Sequence, residues 1–203
     1  MKREFECIVL GLGGLGSGAL YWLARQQKTV LGLEQFQIGH VRGGSQDHSR
    51  IIRLSYHTPQ YVALAKQAYL AWEALEDDAE EKLILKTGGL DFSPPDAKIP
   101  ITDYTTSMAA AGVPYETLDA AETMYRWPQF CLPDGTITLY QAESGIAPAA
   151  KGNAAHLRMA QAHGAVVRDN MTLTALRPRN NEVEIDVCGE TGNETLRCQK
   201  LIL

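Results

Sequence analysis

Apolar residues near the start of the chain follow two different periodicities. Glu6–Leu10 and Thr29–Leu33 are short continuous apolar runs, which are typical of buried parallel strands. Between them a helix is predicted from about Leu15 to Gln26, because apolar residues recur on one helical face. The residues on that face are Leu15, Ala19, Trp22 and Leu23. A strand, a helix and a second strand in this order predict a βαβ unit.

The chain becomes polar after the second strand. Residues 35–49 form a long segment rich in Gly, His and Ser, and a loop of that length inside a compact domain is usually functional or disordered. A long helix is predicted from about Pro59 to Glu80, since proline suits the first helical turn and apolar residues follow at helical spacing. The loop is therefore a candidate for a functional segment.

Shorter elements follow this helix. We predict a strand at Leu83–Phe92, helices at Ile101–Ala111 and Asp119–Arg126 around an extended Pro114–Leu118, a strand at Gly135–Tyr140, a helix at Pro148–His163, and strands at 165–168, 172–177, 183–188, 195–198 and 200–203. The chain stops inside the apolar run Leu201–Leu203. Because domains rarely end in a central strand, we expect a truncated chain; an edge strand at a true terminus is the alternative.

Composition and charge exclude several classes of protein. The 203 residues, 45% of them hydrophobic, suffice for one domain or for one domain and part of another. The net charge of −5 and the lack of a Lys/Arg run argue against a nucleic-acid or anionic-membrane partner. Apolar stretches stop well short of the ~20 residues of a membrane span. The charged start does not resemble a signal peptide, so we expect a cytoplasmic protein.

The four cysteines give little support to a metal site. Cys7, Cys131, Cys188 and Cys198 show no C-x-x-C spacing, which argues against zinc. Cys188 and Cys198 could face each other across a hairpin, but free thiols in a reducing compartment are the preferred interpretation.

Gly11-Leu12-Gly13-Gly14-Leu15-Gly16 matches the G-x-G-x-x-G dinucleotide fingerprint. It follows a predicted strand and opens a predicted helix, which is the context that the motif requires. Glu34 ends the second strand 18 residues after Gly16, where a carboxylate can accept hydrogen bonds from ribose hydroxyls and would repel a 2′-phosphate. The alternative is an ordinary glycine-rich turn followed by a surface glutamate.

The chain as a whole resembles flavin amine oxidases of the glycine/D-amino-acid oxidase superfamily. The similarity is to the group of monomeric sarcosine oxidase, N-methyltryptophan oxidase and pipecolate oxidase. The residues that carry it are Gly11–Gly16, Glu34, His40–Ser45, Ser49–Arg53, Tyr56, Tyr61-Val62, Lys86–Leu90, Arg126–Pro128, Glu143–Ile146 and Gly164-Ala165. The run Ser49-Arg50-Ile51-Ile52-Arg53 after a dinucleotide fingerprint is the most specific part.

This resemblance implies FAD as the cofactor and assigns roles to particular residues. Arg50 would lie against the flavin ring, and Arg53 would pair with the substrate carboxylate, because a guanidinium fork matches a carboxylate. A backbone position near Val166-Val167 would lie by the adenine. The cofactor-binding residues implied are Gly11, Gly13, Gly14, Leu15, Gly16, Glu34, Gln35, Arg42, Gly43, Gly44, Ser45, Ser49, Arg50 and Val167.

The implied fold is α/β, with a Rossmann-like FAD-binding domain and part of a mixed-sheet α+β substrate domain. We predict residues 1–83 and 141–203 for the first and 84–140 for the second. The implied reaction removes a hydride from the C–N unit of a secondary or N-methyl amino acid, and oxygen reoxidises FAD to give peroxide. The alternatives are an NAD-dependent dehydrogenase, and a non-catalytic nucleotide-binding fragment or one subunit of a split oxidase.

The chain departs from the family pattern in three places. Gln46 stands where the family usually has a histidine, and His48 is two positions further on. The segment Tyr56–Tyr61, with His57 as a weak candidate for substrate contact, is about a residue shorter than in sarcosine oxidase. None of the four cysteines aligns with the flavin-linking one, which the family carries in a carboxyl-terminal half. We therefore expect this chain alone to be inactive.

Overall fold

The computed structural model describes residues 3–203. Its chain forms two compact units. Unit 1 contains the chain up to Ser49, Asp78–Glu80 and Pro148–Leu203, and unit 2 contains Arg50–Asp77 and Glu81–Ala147. The two units describe how the backbone packs. The division at residues 83 and 141 concerns which parts bind the cofactor and the substrate, and it stays a prediction.

The described residues form these elements in chain order: β1 (Glu4–Leu10), α1 (Gly14–Arg25), β2 (Val30–Leu33), β3 (Arg50–Ile52), α2 (Pro59–Ala79), β4 (Leu85–Lys86), β5 (Gly89–Ser93), α3 (Ile101–Ala110), β6 (Glu116–Leu118), α4 (Ala120–Arg126), β7 (Ile137–Gln141), β8 (Gly145–Ala147), α5 (Ala149–Ala162), β9 (Val166–Arg168), β10 (Thr172–Pro178), β11 (Val183–Gly189) and β12 (Gly192–Ile202). None of these helices is long and apolar enough to cross a membrane, within the described part of the chain.

Unit 1 is built around one mixed sheet. Among residues 3–203 its strand order is β10-β11-β12-β1-β2-β9, in which β12, β1, β2 and β9 are parallel neighbours and β10-β11-β12 is an antiparallel meander. Ile8, Leu31, Ile185 and Leu196 are fully buried in the core of this sheet. Burial on both faces of parallel strands explains why β2 and the second half of β1, Cys7–Leu10, are continuous apolar runs.

Unit 2 contains two small antiparallel sheets among its described residues, with the strand orders β3-β8-β4 and β5-β7-β6. Val62 of α2 and Met108 of α3 are fully buried with Leu139 of β7 in one cluster. Ile52 and Ile84 form a second cluster, which also contains Ala147 and is covered by aromatic side chains of α2. The α/β fold class predicted from the sequence, with a Rossmann-like sheet and a second, α+β part, is confirmed. The described strands of the second part pair antiparallel, where a mixed sheet was predicted.

Several predicted elements differ in detail. The strand predicted at 83–92 is divided into β4 and β5, because Gly88 between them has φ of +75°. The two strands predicted at 195–198 and 200–203 are one strand, β12, whose first part pairs with β11 and whose later part pairs with β1. The three-residue strands β3 and β8 were not predicted.

The cysteines are free thiols within residues 3–203, as expected. The alternative pairing of Cys188 with Cys198 is wrong, because the register of β11 and β12 places Cys188 opposite Asn193 and Cys198 opposite Val183.

Candidate functional site

The glycine turn, Gly11–Gly16, leaves β1 and enters α1. Gly11 has φ of +83°, which side chains disfavour, and its N–H donates to the Leu33 carbonyl at 2.8 Å. A Cβ on Gly16 would lie 1.8 Å from the Gly11 carbonyl oxygen, so α1 comes this close to β1 only because that position is glycine. The turn therefore brings the start of α1, whose first N–H groups have no intrahelical partner, to the carboxyl end of the sheet.

Glu34 directly follows β2 and braces the glycine turn. Its Oε2 accepts a hydrogen bond from the Leu12 N–H at 2.8 Å, and its Oε1 accepts one from the Phe36 N–H at 3.2 Å. His40 Nε2 lies 3.3 Å from Oε1. The residue is only 7% exposed. Because each carboxylate oxygen has two acceptor positions, Glu34 can also accept hydrogen bonds from a ligand.

Loop 35–49 places a hydroxyl at the start of α1. Ser45 Oγ accepts a hydrogen bond from the Gly14 N–H at 2.8 Å, in the position where a helix amino terminus holds an anion. Gly43 and Gly44 have open space where a Cβ would lie. Further out, the Arg42 guanidinium lies over the Phe36 ring, 4.4 Å from its centre. The hydroxyl and the two glycines make this part of the loop suitable for close contact with a phosphate.

A cavity of about 170 Å³, here called the Glu34 cavity, lies between the glycine turn, loop 35–49 and α5. Asn153 of α5 lines it, and its Nδ2 donates to the Leu12 carbonyl at 3.2 Å. Asn153 Oδ1 is buried and has no hydrogen-bond partner among residues 3–203. A buried acceptor left in this way costs roughly 1–3 kcal/mol, which a ligand donor would offset. Sequence reasoning missed Asn153, because a single asparagine in an amphipathic helix carries no signal of what it faces.

These groups fit the ADP part of FAD. The start of α1 supplies N–H groups and a positive dipole end for a pyrophosphate. The glycines leave room for the backbone to approach that pyrophosphate, and Glu34 supplies a carboxylate for ribose hydroxyls. Asn153 adds a buried acceptor that no group of the described residues satisfies. The groups present are therefore of the kind that a dinucleotide requires.

A polar cluster in unit 1 connects α1 to the residue that follows α5. The Tyr21 hydroxyl donates to Asp78 Oδ2 at 3.0 Å, and His163 Nε2 lies 2.6 Å from the same oxygen. The hydrogen bond with His163 lowers the pKa of the Asp78 carboxyl, and burial raises the pKa of Tyr21 to about 12. His156, whose ring centre is 5.6 Å from that of Tyr21, has a pKa lowered to about 4 by burial. These contacts hold α1 against α5.

The other predicted cofactor residues are less closely grouped. Leu15 is 94% exposed and lines a second cavity of unit 1, of about 470 Å³, together with Gly14 and Ser45. Within the described residues, the lining of the Glu34 cavity does not include Gln35, Arg42, Ser49 or Val167. Val167 pairs with Gly32 of β2 in the sheet. The structure thus brings together the glycine turn, Glu34 and Gly43–Ser45.

In unit 2, Arg50 and Arg53 belong to one short segment. Arg50 begins β3, pairs with Ala147 of β8 and is exposed. Arg53 follows β3 and forms an ion pair with Asp91 of β5, and its guanidinium carbon lies 5.1 Å from the centre of the Tyr56 ring. No pattern in the sequence indicates Asp91 as the partner of Arg53. Arg53 and Asp91 line a cavity of about 230 Å³, here called the Arg53 cavity.

A strand, a glycine turn, a helix and a carboxylate after the next strand are the elements of a Rossmann-type dinucleotide-binding fold. The chain belongs to the FAD dependent oxidoreductase family, whose family model matches residues 6–203. This match confirms the predicted family and removes support for the NAD-dependent dehydrogenase alternative. The predicted resemblance to the sarcosine oxidase and N-methyltryptophan oxidase group is confirmed by individual relatives.

Among curated proteins, the chain is similar to a monomeric sarcosine oxidase of Streptomyces avermitilis, with 32% identity over 94% of this chain and 50% of the relative. An N-methyl-L-tryptophan oxidase of Citrobacter koseri is 27% identical over 98% of this chain and 53% of the relative. Among solved structures, a variant of NikD, described as an unusual amino acid oxidase, matches with a TM-score of 0.86 and 28% identity, over 98% of this chain and 50% of that chain. The chain therefore spans about half the length of these relatives.

Proposed function

We propose that this chain binds the ADP part of FAD and forms part of an oxidoreductase that acts on a small amino acid. The observation that carries this proposal is the direct contact between the glycine turn and Glu34, in which the Leu12 N–H donates a hydrogen bond to the Glu34 carboxylate at 2.8 Å. The family match makes FAD the cofactor of choice for such a site.

The start of α1 would hold the pyrophosphate. Its oxygens would accept hydrogen bonds from backbone N–H groups, including that of Gly14, which donates to Ser45 Oγ in this structure. Ser45 would then donate its own hydroxyl proton to a phosphate oxygen. The ribose hydroxyls would donate to Glu34, and Asn153 Oδ1 would gain the donor that it lacks among residues 3–203.

Arg53 is the proposed anchor of the substrate carboxylate, and Arg50 is proposed to lie near the flavin. Bound FAD would supply the chemistry, by accepting a hydride from the carbon next to the substrate nitrogen. The names of the relatives support an N-methyl amino acid as substrate, since they are oxidases of sarcosine and N-methyl-L-tryptophan. We propose oxygen as the electron acceptor. We also propose that the protein is located in a reducing compartment, in keeping with its free cysteines.

Turnover of an amine requires more groups than this chain provides. A reacting C–H bond must be held close to the flavin in a site from which water is excluded. Because the chain spans about half the length of its relatives, we propose that these 203 residues bind nucleotide without turning over an amine. A carboxyl-terminal half of the kind found in the relatives would complete the site.

The proposal is tested by adding FAD to the purified protein and then adding N-methyl amino acids without oxygen. Saturable FAD binding, followed by bleaching of the flavin absorbance in a form that includes the second half, is the expected result. FAD binding without bleaching in that longer form would favour the non-catalytic alternative. No FAD binding in either form would contradict the proposal.

A further inference from the structure

Arg53 and Asp91 form a charge pair at the Arg53 cavity of unit 2. Asp91 Oδ1 contacts Arg53 Nη1, and Asp91 Oδ2 accepts a hydrogen bond from Ser55 Oγ. Ser55 is fully buried, whereas the side chains of Arg53 and Asp91 are 32% and 22% exposed. The buried hydroxyl therefore fixes Asp91, and Asp91 fixes Arg53, at a place that solvent can reach.

The pair leaves part of the guanidinium fork available. Asp91 uses Nη1, and the face of the group lies over the Tyr56 ring. A guanidinium carries five N–H donors in a rigid plane. Among residues 3–203, the side-chain contacts of Arg53 are those with Asp91 and Tyr56. Nη2 and Nε can therefore still bind a second carboxylate, in an orientation that these two residues fix in advance.

The charge of the pair limits what that second carboxylate can belong to. Arg53 with Asp91 is neutral overall, so a simple carboxylate anion would bring a second negative charge to one guanidinium. Like charges placed this close oppose each other, and the opposition is stronger away from bulk water. A ligand that also carries a cationic amine would relieve it, because its ammonium group can lie beside Asp91.

We propose that the Arg53–Asp91 pair selects zwitterionic amino acids over carboxylate anions of the same shape. Arg53 binds the carboxylate and Asp91 binds the protonated amine. The inference rests on the proposed function, which makes Arg53 the substrate anchor. The cavity volume of about 230 Å³ is below the roughly 300–1,000 Å³ of pockets for drug-sized ligands, in keeping with a small amino acid.

The test compares two ligands of equal size, N-methylglycine and butanoate, which differ in an ammonium group that replaces a methylene. Binding is followed by NMR through the Arg53 Nε–H signal of the ¹⁵N-labelled protein. That signal is identified by its loss in Arg53→Lys. FAD binding is measured on the same samples by flavin fluorescence.

In the wild type, we expect N-methylglycine to bind about tenfold more tightly than butanoate. This ratio corresponds to a difference in binding free energy of about 1.4 kcal/mol. Asp91→Asn should abolish this ratio, chiefly by tightening butanoate. Asp91→Glu keeps the charge and should largely restore the ratio. Asp96→Asn removes an exposed carboxylate three residues beyond β5 and should leave the ratio unchanged.

Equal or tighter binding of butanoate by the wild type overturns the inference, whether or not Asp91→Asn folds. An unchanged ratio in a folded Asp91→Asn protein overturns it as well, as does the absence of any Arg53 shift with both ligands. Loss of FAD binding with the ligand ratio intact counts against the proposed function alone. Normal FAD binding without the ratio counts against this inference alone.

Discussion

The glycine turn and the Arg53 segment provide binding groups in two different ways. The glycine turn offers backbone N–H groups and the space of missing side chains, and its brace is the contact between Leu12 and Glu34. Arg53 offers a side-chain charge, and its partner Asp91 lies 38 residues further along the chain. The first site therefore depends mainly on the geometry of the backbone, and the second on one pair of oppositely charged side chains. Single substitutions should therefore impair one site and leave the other intact.

The largest effect is expected from Gly16→Ala. The new Cβ would lie 1.8 Å from the Gly11 carbonyl oxygen, so α1 and β1 would have to move apart. We expect a loss of several kcal/mol, of the order seen for overpacked cores, together with loss of FAD binding. Urea unfolding measures the loss. Gly18→Ala is the matched control, since its Cβ comes no closer than 3.9 Å to His156, and helix propensity favours alanine there. Equal stability of the two variants would refute the close packing.

Glu34→Ala should weaken adenine-nucleotide binding about tenfold or more, because hydrogen bonds to a charged group contribute roughly 1.5–3 kcal/mol. Some stability should also be lost, since the Leu12 and Phe36 N–H groups lose an acceptor. Glu6→Ala is the control and should leave nucleotide affinity unchanged. Glu6 accepts the Thr29 N–H at 2.7 Å and so also braces the backbone, at the other end of β1. Calorimetry that gave Glu34→Ala the affinity of the wild type would rule out its ribose role.

Arg53→Lys should act on the second site alone. An ammonium cannot reproduce the planar fork, so we expect an amino-acid ligand to bind about tenfold more weakly while FAD affinity stays normal. In a form that turns over, the Michaelis constant should rise and the flavin spectrum should stay unchanged. Amides of the same amino acids provide the control, because they lack the carboxylate. Equal reaction of acids and amides with the wild type would exclude Arg53 as a carboxylate anchor.

The smallest effect concerns pH and the packing of α1 on α5. Burial lowers the pKa of His156 to about 4 in the folded protein, below its ordinary value of 6.5. The unfolded chain therefore takes up a proton first, and stability that is present above pH 6.5 is lost as pH falls towards 4. We expect a loss of about 1 kcal/mol between pH 7 and 5.5. His156→Gln should remove this dependence, and His48→Gln, at an exposed position, should keep it. An identical pH slope in all three proteins would contradict the assignment.

Sequence patterns predicted the glycine turn because its signals are local. Gly11, Gly13 and Gly16 fall between an apolar strand and an amphipathic helix, and Glu34 follows the next apolar strand. The parallel pairing of β1 with β2 then places Glu34 beside the turn. The short strands β3 and β8 were missed, since three residues carry no usable periodicity.

The partners that the sequence could not reveal are distant in the chain. Asn153 reaches the Leu12 carbonyl across 141 residues, and Asp91 reaches Arg53 across 38. Both depend on tertiary packing, to which neither spacing nor composition is sensitive. The division of the predicted strand at 83–92 has a similar origin, because Gly88 adopts a positive φ beside the Tyr140 ring.

The central claim is that the glycine turn and Glu34 bind the adenosine diphosphate end of FAD. The most direct measurement is displacement of bound FAD from the wild-type protein by ADP, by ADP with an added 2′-phosphate, and by FMN. The account predicts that ADP displaces FAD, that the 2′-phosphate weakens displacement about tenfold or more because it faces the Glu34 carboxylate, and that FMN has no effect. Equal displacement by ADP and its 2′-phosphate, or displacement by FMN alone, would contradict the account.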